Sequence, residues 1–396
     1  MYCARQVRLG IAGIAVVAVF FSACGGSDSS SRPTPLAPPP APAAGTLGDG
    51  KLGDIVEWAR ATENAPALGV IIIRHGQVVE RAVAGVRSVE NNVKVTVDDE
   101  WHVSSLTKSM TATVAAMLVE DGLITWDTRP LDVWPELDAT INPDFRNITL
   151  RQLLSHTSGL KREDPWDGAD DDAPGTTVEK RRAWTARLLA ETPEVPPGNW
   201  SYSNLGYVVA GAMLEARAQT PWETLLTTRI FTPLGMTHTG FGAPGTPGQL
   251  DQPLGHNSFP TGFNAIQAGP GSDLARALGP AGGVHATMDD FMRYLQAHMA
   301  GEQGTPGILS VASFRTLHTV VSQSYALGWL QVAPLEGLGA TAYGHNGTNL
   351  KWFALTWFVP DRDVGLLAVT NCGGDRGNQI LSKLDLKLRD RIAASP

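Results

Sequence analysis

Ser104-Ser105-Leu106-Thr107-Lys108-Ser109-Met110-Thr111-Ala112-Thr113-Val114-Ala115-Ala116-Met117-Leu118 is the stretch on which the reading of this chain turns. Leu106, Met110, Val114, Met117 and Leu118 recur at helical spacing, Ser104 offers an N-cap, and Gly122 stands where a C-terminal stop is expected. Residues near 105–121 therefore read as one buried helix. A spacing of three puts Ser105 and Lys108 on one face, a turn apart. The helix start also presents unpaired N–H groups and the positive end of the macrodipole, which favour oxyanion charge developing beside Ser105. A serine with a base one turn away is the chemistry of acyl transfer.

Two further strings supply the remaining groups that such chemistry needs. Tyr202-Ser203-Asn204 follows the turn Pro196-Pro197-Gly198-Asn199 and precedes the helical run Leu205–Ala210. A tyrosine shuttles protons beside a serine if positive charge such as Lys108 lowers its pKa from about 10. Asn204 can hold Lys108 and a substrate amide by hydrogen bonds. His345-Asn346-Gly347 lies between strand-like runs, Leu338–Gly344 before it and Trp352–Val359 and Val364–Val369 after it. His345 on a strand edge can point into a cleft, and the N–H of Thr348 is a candidate second oxyanion donor.

Each string has a bland reading, and two have rivals. Ser158-Gly159-Leu160-Lys161 repeats Ser-x-x-Lys, but Gly159 follows the serine and no apolar stripe follows the lysine. His238-Thr239-Gly240 repeats His-x-Gly, but it runs into the Gly/Pro-rich stretch 240–248, which reads as loop. Ser105 and His345 are the better candidates. Tyr202 and Asn204, taken alone, would belong to an ordinary turn.

Together these residues resemble the class C β-lactamases and their wider group of serine hydrolases, the penicillin-binding-protein-like D-alanyl-D-alanine carboxypeptidases, D-aminopeptidases and esterases. Arg151-Gln152-Leu153-Leu154-Ser155-His156-Thr157-Ser158-Gly159-Leu160 is similar to a signature of that group. Pro233-Leu234-Gly235-Met236 and Ala281-Gly282-Gly283-Val284 through Asp289-Asp290-Phe291 look like two further landmarks, so the resemblance spans roughly residues 50–385. It implies Ser105 as nucleophile, Lys108 as general base for acylation and Tyr202 as proton carrier. Asn204, His345, Gly347 and Thr348 would bind and orient substrate, and no cofactor or metal is implied. His345 stands where true class C β-lactamases usually carry lysine, a departure shared with the carboxypeptidase and esterase branches. Leu350-Lys351-Trp352 is bulky where many relatives are small.

The ends of the chain carry a different message. Arg5 and Arg8 precede the apolar run Ile11–Phe21, too short to span a bilayer, and Phe21-Ser22-Ala23-Cys24 ends it. Residues 1–23 read as a signal peptide, with cleavage before Cys24 and lipid on its thiol; ordinary cleavage after Ala23 is the alternative. Residues 24–50, rich in Ser, Pro, Ala and Gly, read as a lipidated tether. An exported, membrane-anchored envelope lipoprotein is the resulting expectation. With the signal removed, only Cys24 and Cys372 remain, so no disulfide framework forms.

The 396 residues carry 31 basic and 39 acidic side chains, a formal charge of −8, which points away from nucleic acid. Six acids between Glu163 and Asp172 surround Trp166 without the spacing of a calcium loop and read as a solvated surface loop. Absence of Cys-x-x-Cys and His-Glu-x-x-His argues against a metal, and absence of Gly-x-Ser-x-Gly argues against an α/β-hydrolase.

Strands at both chain ends with helices between them suggest an α/β (α+β) fold. Its antiparallel sheet is formed by both termini and flanked by helices, with an inserted mostly helical domain. The boundaries are 51–124 and 286–396 for the α/β domain and 125–285 for the helical one, with the site in the cleft between. The functional expectation is a serine hydrolase cleaving an ester, an amide or a D-amino-acid peptide through an acyl-enzyme at Ser105. Its alternatives are a true class C β-lactamase and a catalytically silent lipoprotein that binds cell-wall peptide in the same cleft.

Overall fold

The run Ala67-Leu68-Gly69-Val70-Ile71-Ile72-Ile73 is apolar at every position, which in an extended chain means that both faces are covered. The computed structural model of the chain describes residues 40–163, 174–269 and 271–395 and shows what covers them. After helix α1 (Leu52–Thr62), strands β1 (Ala67–Arg74) and β2 (Gln77–Gly85) form a hairpin through His75 and Gly76, both at positive φ. Strand β3 (Glu100–His102) leads to a single 3-10 turn, Ser104–Leu106, and helix α2 (Thr107–Glu120). The middle of the chain contributes helices α3 (Thr177–Ala190) and α4 (Asn204–Ala218) and short strands β4 (Thr239–Phe241), β5 (Gly255–Phe259), β6 (Gly262–Ile266) and β7 (Val284–Thr287). Helices α5 (Met288–Glu302) and α6 (Val311–His318), strands β8 (Leu330–Val332), β9 (Ala342–Thr348), β10 (Phe353–Val359) and β11 (Val364–Thr370), and the long helix α7 (Gly374–Ala393) complete it.

The two ends of the chain do build one sheet. Its order is β2-β1-β11-β10-β9-β8, and each neighbouring pair is antiparallel. Side-chain alternation then divides the apolar residues between two cores. Leu68, Val70 and Ile72 join Leu366, Ala368, Phe353 and Trp357 under α1 and α7, meeting Ile55, Val56, Ile380, Leu384 and Leu388. Ile71 and Ile73 join Leu367, Val369, Ala354 and Phe358 on the other face, against α2 and α5. Each aliphatic side chain so buried contributes roughly 1.5–3 kcal/mol. The sheet is thus a rigid wall, and α2 is packed between it and the helices of the middle region.

That middle region is mostly helical, with two exceptions. Strand β4 pairs with β7, and β7 with β3, in a three-stranded sheet, so Gly240 and Phe241 are strand where the sequence reads as loop. Strands β5 and β6 form a separate hairpin. Among the described residues no helix is long and apolar enough to cross a membrane. Residues 1–23, Cys24 and the acidic run Asp164–Asp172 with Trp166 lie outside the described residues.

The tether expected over 24–50 ends earlier than the sequence implies. Arg391, buried on α7, donates to the carbonyl of Ala44 at 2.7 Å, to Glu80 at 2.6 Å and to Asp49. Leu47 N–H donates to Ser395 Oγ at 2.7 Å, and Gly48 N–H to Glu80 Oε1 at 2.9 Å. A Gly-rich segment with no apolar stripe is held because a buried guanidinium needs acceptors. A chain beginning at Lys51 is therefore expected to melt several degrees below one beginning at Pro40, measured by differential scanning fluorimetry; equal midpoints would return residues 44–50 to the tether.

Candidate active site

Lys108 is fully buried in the first turn of α2. Its Nζ lies 3.0 Å from Ser105 Oγ and donates to Asn204 Oδ1 at 2.7 Å and to the Ala281 carbonyl at 2.6 Å. Burial drives the amine well below its ordinary 10.5, with Glu163 opposing and Arg162 reinforcing the shift. A neutral amine has two N–H bonds and one lone pair. Asn204 and Ala281 take the two hydrogens, which turns the lone pair toward the Ser105 hydroxyl. Ser105 itself sits in the 3-10 turn ahead of α2 and lines an open cleft of about 780 Å³. Ser104 makes no side-chain cap, contrary to its reading as the N-cap. It stands at φ +49, and its side chain turns back to His102.

The Tyr202 string approaches from the helical side. Ser203 is the N-cap of α4, its Oγ accepting the Gly206 N–H at 3.0 Å and donating to the Lys161 carbonyl at 2.6 Å. The cap fixes Asn204 as the first helical residue and leaves Tyr202 extended before it. Tyr202 Oη donates to Ser105 Oγ at 3.1 Å, and Lys108 Nζ lies 5.0 Å from the ring centroid. The phenol's pKa is pushed up to about 12 by burial, only partly offset by its Ser105 bond and by Arg162. A lowered value was the expectation from a neighbouring cation, and it fails for a physical reason: burial of the phenol itself outweighs what nearby groups do, and the same burial depresses Lys108.

His345 lies on β9 opposite Thr356 of β10, buried at the back of the cleft. Its Nδ1 donates to the Asn346 carbonyl at 2.5 Å, so Nε2 is the acceptor for Tyr325 Oη at 3.1 Å. Burial holds the imidazole down to about 3. Both ring nitrogens are thus occupied within the protein. Two residues on, a Cβ on Gly347 would lie 2.4 Å from the Ser105 backbone nitrogen, so strand and nucleophile turn touch only because the residue is glycine. Thr348 Oγ1 accepts from Leu350 N–H at 2.9 Å and Gly374 N–H at 3.1 Å and donates to the Trp352 carbonyl at 2.8 Å.

Ser105, Tyr202, Asn204, His345, Gly347 and Thr348 all line the same cleft, whose outer walls carry Arg162, Glu163, Leu350, Phe353, Asp375 and Asn378. Phe353 faces it. Trp352 does not, being buried and stacked at 5.5 Å on His102. The rival strings fall elsewhere: Ser158 is buried and bonds locally to Leu160 N–H, Lys161 pairs with Glu191 at 2.5 Å, and His238 is exposed beside Thr237.

Three groups at the site carried no sequence signal of their own. His156 stands at φ +61 with its ring 4.3 Å from Tyr202 and 4.4 Å from Tyr325, and its Nδ1 accepts the Ser203 N–H at 3.1 Å. It lay inside a recognised signature, but nothing local said that it props the tyrosine. Tyr325 stands in none of the three strings. Ala281 contributes a carbonyl, which no side-chain pattern reports.

Comparison with known proteins gives the setting. The family described as Beta-lactamase matches residues 53–388. Penicillin-binding protein 4 of Amycolatopsis lactamdurans is 29% identical over 324 residues, 79% of this chain and 83% of its own. The D-alanyl-D-alanine-carboxypeptidase/endopeptidase AmpH of Escherichia coli is 26% identical over 322 residues, 77% of this chain and 79% of its own. The octameric penicillin-binding protein homologue of Pyrococcus abyssi superposes with a TM-score of 0.70 at 22% identity, covering 88% of this chain and 78% of that one, a likeness of fold. The chain belongs to the Beta-lactamase family of serine hydrolases.

Proposed function

We propose that this protein is an envelope hydrolase that opens an ester or amide by acylating Ser105 and releasing the acyl group to water. One observation carries the reading: Ser105 Oγ lies 3.0 Å from the amine of a buried lysine whose pKa burial drives well down, and 3.1 Å from a phenol whose pKa burial pushes up. Ser105 Oγ attacks the carbonyl carbon while its proton passes to the Lys108 lone pair. Tyr202 Oη–H protonates the leaving group and is reprotonated from Lys108, which restores the neutral amine. In the second half a water attacks the acyl carbon, its proton moves into the same pair, and Ser105 Oγ leaves with a proton. The N–H of Ser105 at the helix start, with that of Thr348 on the strand that Gly347 brings against it, is suited to the oxyanion.

AmpH is named for cleaving D-alanyl peptides, which makes a D-amino-acid peptide or amide one substrate class to bring to this chain. The charge of the cleft qualifies it. His345 is neutral, Arg162 faces Glu163 at 4.0 Å, and Asp375 adds a carboxylate on the opposite wall. A substrate carboxylate therefore meets little net attraction, while Phe353 and Leu350 offer apolar surface to an acyl group. This favours neutral esters and amides over β-lactams. Export and anchoring through Cys24 belong to the same reading and rest on the N-terminal sequence pattern alone.

Ser105→Ala is expected to abolish hydrolysis of p-nitrophenyl butyrate, a loss of many powers of ten, and Ser158→Ala to leave it largely intact. Mass of the labelled tryptic peptide after fluorophosphonate treatment should place one label on Ser105; a label on Ser158 would reverse the assignment. For the same ester, kcat/KM should exceed that for penicillins and cephalosporins at pH 7.5, and the opposite order would falsify the preference.

The base must be deprotonated to work, so kcat/KM should fall as pH drops through the depressed Lys108 value and stay level above it until Tyr202 loses its proton near 12. Because His345 titrates near 3, His345→Asn should leave the midpoint of that acid limb in place. A limb that disappears with His345 would make the histidine, not the lysine, the titrating group. Gly347→Ala must displace the Ser105 backbone, and overpacking of this kind costs about 1–3 kcal/mol. A lower melting temperature with a fall in kcat is expected, and unchanged kinetics would remove the strand from the oxyanion site.

A further inference from the structure

Behind the nucleophile lies a chain of polar side chains that the proposed mechanism does not use. Ser104, immediately before Ser105, holds φ +49, a left-handed conformation that side chains other than glycine adopt reluctantly. Both of its donors turn onto one atom: Ser104 N–H lies 3.1 Å and Ser104 Oγ 3.0 Å from His102 Nδ1. Since Nδ1 accepts the backbone N–H, the ring proton of a neutral His102 is on Nε2, which donates to Asp273 Oδ2 at 2.9 Å. Asp273 Oδ1 accepts from Asn349 Nδ2 at 2.7 Å. Asn349 Oδ1 in turn accepts the N–H of Lys351 at 3.2 Å and of Trp352 at 3.0 Å. The Trp352 indole closes the arrangement by stacking on the His102 ring.

We infer that Asp273, His102 and Ser104 form a buried positioning triad: it holds the left-handed residue that aims Ser105 and ties the nucleophile turn to the loop leaving β9. The residue types are those of a catalytic triad, but the geometry assigns a different task. Ser104 and His102 are buried and neither lines the cleft, so no carbonyl carbon reaches Ser104 Oγ. The chain instead spans the two backbone segments placed at the oxyanion, Ser105 at one end and, through Asn349, the end of β9 at the other. Asp273 is suited to the middle because it accepts on both oxygens. An asparagine accepts on one side only and sets a second donor against either His102 Nε2–H or Asn349 Nδ2.

The inference rests on Ser105 being the nucleophile, and a double-mutant cycle separates the two. Wild type, Asp273→Asn, Ser104→Gly and the double variant are compared by the rate of fluorophosphonate labelling at Ser105 and by kcat and KM for p-nitrophenyl butyrate. Asp273→Asn is expected to lower the labelling rate and kcat by ~10- to 100-fold, the cost of a small misplacement of a reacting group, with KM within about threefold. Glycine takes φ +49 unaided, so in the Ser104→Gly background the same substitution should cost under about threefold. An equal penalty in both backgrounds, or a lower melting temperature with unchanged labelling and kcat, would overturn the triad and leave a structural network. Wild-type protein that takes no label at Ser105 sinks the nucleophile assignment and the inference with it. Should Asp273→Asn not fold, His102→Asn, which cuts the Asp273 link, carries the same cycle against Ser104→Gly.

Discussion

A lysine amine with no access to water is the constraint around which the site is arranged. An ammonium group cannot be stripped of solvent without either a full set of partners or loss of its proton. Lys108 has three oxygen neighbours, and they come from three parts of the chain: the turn before α2, the first residue of α4 and the Ala281 carbonyl ahead of β7. Ser109 and Lys108 are backed by Gly328, where a Cβ would come within 2.8 Å of the Lys108 carbonyl. Displacement of any of these segments changes how many hydrogens the amine can place. The protonation state of the base is thus a property of the packed fold rather than of the helix that carries it.

Tyr202 follows from the same constraint. Its hydroxyl shares the Ser105 oxygen with Lys108, and its ring rests on His156, whose Nδ1 also holds the backbone of Ser203. In the proposed mechanism the depressed amine and the raised phenol pair a base with a hydroxyl acid.

How much of this was legible in the sequence depends on the range of the interaction. Ser105 and Lys108 were readable together because a helix relates residues three apart. A sheet built by both chain ends was readable from the strand-like runs at the two ends. Ser104 was misread as a cap because its side chain is claimed by His102, two residues back but in a strand, a competition that propensity does not contain. His156, Tyr325 and Asp273 were invisible as partners because their contacts close only when distant segments meet. The tether was drawn too long because its anchor, Arg391, lies 342 residues away from Asp49. The direction of the Tyr202 shift was reversed because proximity to lysine was readable and depth of burial was not.

The third string shows how one substitution is absorbed. A lysine on β9 would bring a charge to a buried position in the cleft, where removal from water is costly. Histidine avoids that cost by closing on itself: Nδ1 donates to the next carbonyl, Nε2 accepts from Tyr325, and the ring stays uncharged. Tyr325 in turn packs on His156, which packs on Tyr202. The strand that faces substrate is therefore joined through aromatic contacts to the tyrosine that faces the nucleophile, with no charge along the path. The proposed preference for neutral acyl groups rests on this neutrality, on the carboxylates of Glu163 and Asp375, and on the apolar lining of Phe353 and Leu350.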